Sequence, residues 1–240
     1  MASNSPMVFT VRAWSAWNED GSSGETDSAG SHHIQSAPPS LLRRRVGPLG
    51  QHALRLAWDM ACSGEARLIA SSRHGEFHRS LGIMEGIVAG EGVSPAEFTL
   101  SVHHALIGLL SIVRGNGRGH TAVAAGRESL CFGFLDAVAG LADAPEEPVL
   151  LIHYDEPLPQ PFTRFAPETG LALALVLALA ASGPGEAMTL ATKPTAPPAP
   201  DSAPDPAAGL VGFLADAAVP RFTFVGPRMT WTWARDAAPS

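Results

Sequence analysis

From Pro48 onward the chain alternates two kinds of apolar pattern, and that alternation limits the fold more than any other feature of the sequence. Leu49, Ala53, Leu54, Leu56, Ala57, Met60 and Ala61 recur at helical spacing, whereas the following ARLIASS is a short apolar run. The first pattern predicts a helix over 48–61 and the second a strand. Helical periodicity returns in EFHRSLGIMEGIVAG and in HHALIGLLSIV. Gly115, Gly117 and Gly119 then mark a loop before the strand TAVAA, the helix ESLCFGFLDAVAGLA and the strand PVLLIHY. Strands that alternate with helices and read as continuous apolar runs are covered on both faces, which predicts an α/β fold.

The flanks are less regular. A β-rich opening, MVFTVRAWSAW, precedes a polar Gly/Ser-rich stretch near 18–40 that is expected to be a mobile surface insertion. The run from Leu171 to Ala181 has 11 residues, short of the roughly 20 a membrane-spanning helix needs, and reads as buried core. Beyond it come the strand-like MTLAT, a Pro/Ala linker over 194–207, a short helix near LVGFLADA and a β-rich end, RFTFVGPRMTWTW. The expected organisation is one domain over 1–193, the linker, and a C-terminal extension over 208–240 that either docks back or stays peripheral.

With 45% apolar residues, 240 positions suffice for one full core. A net charge of −7 with only 16% charged residues leaves no basic field to hold a phosphate backbone, so nucleic acid is excluded as a partner. Cys62 and Cys131 lack CxxC spacing, which fits a reducing, cytoplasmic setting, and the N-terminus shows no export leader. No cofactor is expected. GNGRG is not a GxxxxGK[ST] or GxGxxG loop and reads as a turn; His74, Glu76 and His78 lack HExxH spacing and read as a polar helix start rather than a metal cluster. Ser101, His103 and Asp155 supply the residue types of a hydrolase triad, but no GxSxG elbow accompanies them.

The segment from Ser101 to Ala137, SVHHALIGLLSIVRGNGRGHTAVAAGRESLCFGFLDA, resembles the β-ketoacyl synthases. In that family Asn-x3-Gly-x3-Ile-x2-Gly leads through a Gly-Pro-Ser turn and a buried strand to the nucleophilic cysteine, which opens a helix. Without a gap, His104 takes the asparagine position, Gly108, Ile112 and Gly115 follow, Gly119 and His120 replace Pro-Ser, and Arg127 falls on the cysteine. A shift of one residue puts Gly126 or Glu128 there. Through SRHGEFHRS, SPAEFTLSVHHALIGLLSI, AAGRESL and LLIHYDEPLP the chain is similar to the short chain length factor proteins of aryl polyene biosynthesis. The resemblance runs from about Leu41 to Ala180. It implies an incomplete thiolase-like fold corresponding to the N-terminal half of a ketosynthase.

Decarboxylative condensation requires a thiolate to carry the acyl chain and two histidines to stabilise developing negative charge. In full-length ketosynthases those histidines lie in a second half that this chain is not expected to contain. Asp59-Met60-Ala61-Cys62-Ser63 imitates the nucleophile signature but closes a helical pattern instead of opening one, so Cys62 reads as a helix-end residue and Cys131 as a core thiol. The resemblance therefore implies a non-catalytic subunit that forms a heterodimer with a catalytic β-ketoacyl synthase, the complex being served by acyl carrier protein. Thr121, Ala122, Val123, Ala124 and Ala125 would form the strand paired across the dimer. Phe98, Val102, Leu106, Leu109 and Leu110 would line the partner's acyl tunnel or else pack in the core, where Leu130 and Phe134 are expected. Competing readings are an independently active acyl transferase or hydrolase and a scaffold or carrier-protein docking module.

Overall fold

The structure, a computed structural model, describes residues 5–20, 24–27, 37–60, 65–166, 172–196 and 205–235. Its strands are β1 (Met7–Asn18), β2 (Gly24–Asp27), β3 (Arg67–Ser71), β4 (His120–Val123), β5 (Val149–Asp155), β6 (Leu173–Ala180), β7 (Glu186–Pro194), β8 (Arg221–Val225) and β9 (Met229–Arg235). They form a single sheet in the order β4-β3-β5-β6-β1-β7-β9-β8, with β2 beside β1. The helices are α1 (Ser40–Arg43), α2 (Pro48–Met60), α3 (Phe77–Val88), α4 (Pro95–Thr99), α5 (Ala105–Arg114), α6 (Ser129–Asp143) and α7 (Pro206–Ala215).

The α/β expectation holds, and the sheet is mixed. β3 runs parallel to β4 and β5, the part of the chain where helices intervene between strands. From β5 through β6, β1, β7 and β9 to β8 every pairing is antiparallel. β6 shows why the run after Leu171 is a strand. Leu173, Leu175, Leu177 and Leu179 face the core under α6 and α7, and Ala172, Ala174 and Val176 face the core under α2 and α5. Both faces are buried, so period two is masked as a continuous apolar run.

The segment beyond 205 joins this sheet. β9 pairs with β7 from Met188↔Arg235 to Pro194↔Met229, and the Trp231 and Trp233 side chains are wholly buried. Phe132 meets Trp231 edge-on, and Phe134 meets Trp233 in the same way, seating the C-terminal hairpin on α6. Of the stretches expected to be a mobile insertion and a Pro/Ala linker, residues 21–23, 28–36 and 197–204 lie outside the described residues, as does Cys62.

Candidate functional site

The turn joining β4 to α6 is the position the sequence assigns to a nucleophile. The strand ends at Val123, so Ala124 and Ala125, expected within it, belong to the turn. The physical reason is local: Ser129 Oγ accepts the Ala125 amide at 2.9 Å and donates to the Gly126 carbonyl at 2.6 Å, while Gly126 takes φ 64°, a conformation that favours glycine. Arg127 lines a pocket beside the turn. Glu128 points the other way, buried at the head of α6, where its carboxylate accepts Arg228 Nε at 2.8 Å, the Met229 amide at 2.9 Å and Trp231 Nε1 at 3.0 Å. The C-terminal hairpin is thereby pinned to the turn. Gly226 is required there, because a Cβ would come within 2.5 Å of Glu128 Oε1.

The opposite wall of the pocket is built around Asp155. Its carboxylate accepts Ser72 Oγ at 2.8 Å, the Arg73 amide at 2.8 Å and the His74 amide at 3.1 Å; Ser72 Oγ in turn accepts the Gly75 amide at 2.7 Å. His153, next but one on β5, meets Ser71 Oγ through Nδ1 at 3.0 Å and places Nε2 3.7 Å from Asp155 Oδ2. The three separated segments SRHGEFHRS, AAGRESL and LLIHYDEPLP thus converge on one pocket, whose lining includes Arg73, Arg127, His153, Asp155 and Asp205.

This arrangement does not present Ser71 or Ser101 as a nucleophile. Ser71 has the neighbours of a triad serine but is fully buried, with α6 lying so close that a Cβ on Gly133 would be 2.9 Å from the Ser71 Cβ. The triad of Ser101, His103 and Asp155 is not assembled: the Ser101 hydroxyl donates to the Phe98 carbonyl, and Asp155 is occupied by the 72–74 loop. Cys131 is buried inside α6, and burial, followed by the Glu128 and Asp205 carboxylates, pushes its thiol well above the usual range. Among the described residues, no group of His, Cys, Asp and Glu is arranged to hold a metal ion. No described helix is long and apolar enough to cross a membrane.

Behind Asp155 lies a desolvated acidic group. Burial raises the Glu76 carboxyl above the ordinary range against the opposing effect of Arg79, and burial likewise raises Glu156. Burial also pushes the Tyr154 phenol upward, helped by the Glu76, Asp155 and Glu156 carboxylates.

A second surface adjoins the turn. β4 lies at the end of the sheet and pairs, among the described residues, with β3 only, leaving its outer edge open. Neither α3 nor α4 buries a residue. Val88, Phe98 and Val102 are 89%, 64% and 46% exposed, and Ile112 on the outer side of α5 is 77% exposed. The tunnel candidates therefore divide: Phe98 and Val102 stand on the surface and Leu109 is half-buried, but Leu106 and Leu110 are sealed in the core beneath α2 and α5. Leu130 and Phe134 are core residues as expected.

Missed at the sequence level were the roles of Glu128, Ser71 and His153. The available signal was a charged or polar residue interrupting an apolar run: Glu128 before SLCFGF, and His153 and Asp155 in VLLIHYD.

The chain is a mixed α/β sheet whose edge strand turns sharply into a helix, and its fold is thiolase-like, as in the ketosynthases. Residues 14–234 match the family described as β-ketoacyl synthase, N-terminal domain, and the chain belongs to that family. Among solved structures it is similar to the ketosynthase ApeO in complex with its chain length factor ApeC from Xenorhabdus doucetiae, with a TM-score of 0.74 and 21% identity, covering 94% of this chain and 99% of the other. It is also similar to the ishigamide ketosynthase/chain length factor, with a TM-score of 0.57 and 12% identity over 78% of this chain and 67% of that one. A third likeness is to a type II acyl-carrier protein in complex with its ketosynthase, AntDE:AntF, with a TM-score of 0.60 and 10% identity over 96% and 100% of the two chains. At these identities the likeness is one of fold. A comparison with curated protein sequences finds no match.

Proposed function

We propose that this chain is a non-catalytic, chain length factor-like subunit that pairs with an active ketosynthase and shapes its acyl tunnel during aryl polyene chain elongation. One observation carries the reading: where the family resemblance expects the nucleophile, the β4–α6 turn presents Gly126, Arg127 and Glu128, none of which can hold a thioester. The open edge of β4 and the exposed apolar residues of α3, α4 and α5 support the pairing, since a free strand edge beside apolar surface is suited to burial by another chain. Phe98 and Val102 are the residues of this surface best placed to meet an acyl chain in the partner, and Thr121, Ala122 and Val123 the ones to pair with its strand. Acyl carrier protein would deliver substrate to the complex.

Co-expression with a ketosynthase tests the proposal. The expected product is a stable complex with one copy of each subunit, in which acyl label from carrier-protein thioesters appears on the ketosynthase alone. Stable acylation of this chain at Cys62, lost together with product formation in Cys62→Ala, would sink the reading. So would a monodisperse monomer without affinity for any ketosynthase.

A further inference from the structure

We infer that Arg79 is a positioning residue: its guanidinium holds α4, and with it Phe98, in place on the face proposed to meet the ketosynthase. The need for such a hold shows in the burial. From Ile87 to Thr99 every residue is exposed, and neither α3 nor α4 has a buried residue. Apolar packing, which seats α2, α5, α6 and α7, contributes little to fixing this part of the chain.

Polar contacts take its place, and they meet at Arg79. The side chain is 16% exposed, and its Nη2 donates at 3.1 Å to the carbonyl of Arg45, in the turn after α1. Its Nε lies 3.7 Å from Oε2 of Glu76, the residue before α3, whose carboxylate is mostly buried. The guanidinium is thus tied to the body of the protein on two sides. Its Nη1 makes an ion pair with Glu97 Oε2 on α4. Among the described residues this is the one polar contact from α4 to another element, since its other hydrogen bonds stay within the segment from Ser94 to Ser101. Ser80, next to Arg79, adds only a long contact at 3.5 Å to the Ser101 carbonyl, beyond the end of α4. Glu97 immediately precedes Phe98, so the grip on one sets the place of the other.

An exposed ion pair is worth little where packing already fixes both partners. α4 has no such packing. A change of about fivefold in the ratio of seated to unseated α4, the equivalent of about 1 kcal/mol, is therefore within reach of this one contact. The planar fork of arginine suits the task, because it can engage a carbonyl and two carboxylates from one centre. The consequence for products rests on the tunnel role proposed for Phe98; the hold itself does not.

The test is amide hydrogen exchange on the full chain. Glu97→Gln, an exposed change that leaves Glu76, Arg79 and the Arg45 carbonyl in place, should speed exchange at the hydrogen-bonded amides of Phe98 and Leu100 about fivefold or more, with β5, β6 and α6 unchanged. Arg79→Gln should do the same, and the double variant should exchange no faster than Arg79→Gln alone. Arg79→Lys, which keeps the charge without the fork, should fall between. Glu85→Gln, on the exposed far part of α3, should change neither amide. In the reconstituted complex, at unchanged subunit stoichiometry, Glu97→Gln should shift product lengths in the same direction as Phe98→Ala. Unchanged exchange at Phe98 and Leu100 in folded Glu97→Gln and Arg79→Gln overturns the inference. So does a product distribution that Phe98→Ala alters and Glu97→Gln does not. If exchange responds while Phe98→Ala itself leaves the products unchanged, the hold on α4 stands and the tunnel reading falls.

Discussion

Helices α3 and α6 are both rich in apolar residues, yet they meet opposite fates. α6 buries Leu130, Cys131, Phe134, Ala137, Val138 and Leu141 against the sheet, whereas α3 has no buried residue and leaves Met84, Ile87 and Val88 exposed. Apolar periodicity states that a helix has a face to cover; it does not state whether the covering surface belongs to the same chain. In α6 that surface is internal. In α3, α4 and the outer side of α5 it is what the proposed partner would provide.

The comparison can be broken most severely at Glu128, the group that holds the C-terminal hairpin against α6. Glu128→Ala removes the acceptor of Trp231 Nε1, the Met229 amide and the exposed Arg228, and should destabilise the chain in urea unfolding by about 1–3 kcal/mol for each of the two neutral donors it strands. A loss below about 1 kcal/mol, the value of one ordinary hydrogen bond, would mean that aromatic packing alone seats the hairpin.

Leu106→Ala and Phe98→Ala sharpen the contrast between core and surface. The first empties a fully buried site and should cost about 2–5 kcal/mol. The second acts on an exposed side chain and should change the stability of the free chain by no more than about 0.5 kcal/mol. In the complex the order reverses in kind. Phe98→Ala should lengthen the dominant polyene product, since relief of a steric limit of about 1–3 kcal/mol shifts a product ratio by about tenfold. Unchanged products from soluble, heterodimeric Phe98→Ala and Val102→Ala would remove both from the tunnel.

The smallest effect expected is one of pH. A carboxyl raised by burial, as in Glu76, binds its proton more tightly in the folded chain than in the unfolded one. Its stabilising contribution is complete below the ordinary carboxylate pKa and is lost as pH rises through the raised value. Glu76→Gln should therefore flatten the decline in stability between acidic and neutral pH. A variant with the same pH profile as the parent would show that Arg79 offsets the burial fully.

Much of this architecture was legible in the residues. The alternation after Pro48 announced β3, β5, α2, α5 and α6, because each of these buries a face whose period is written into the chain. The turn at Gly126-Arg127-Glu128 was legible as a site only through the family resemblance, since no single residue there bears a motif of its own. Local pattern left open whether the end of the chain would dock. RFTFVGPRMTWTW reads as a β-rich end, but its place beside β7 is made by long-range contacts such as that between Arg228 and Glu128, 100 residues apart.

By itself, then, the sequence determined the main helices and strands between Pro48 and Asp155 and the buried character of the run after Leu171. Those properties are local: periodicity, turn chemistry and residue identity act within a few positions. Only the tertiary structure decided that Leu106 is core and Phe98 surface, that β4 is an open edge, and that Arg73, Arg127, His153 and Asp155 share one pocket. The reason is physical. Neighbours at a pocket or a sheet edge are chosen by the order of strands across the sheet, and that order follows from the burial of both faces together, not from the pattern of any one segment.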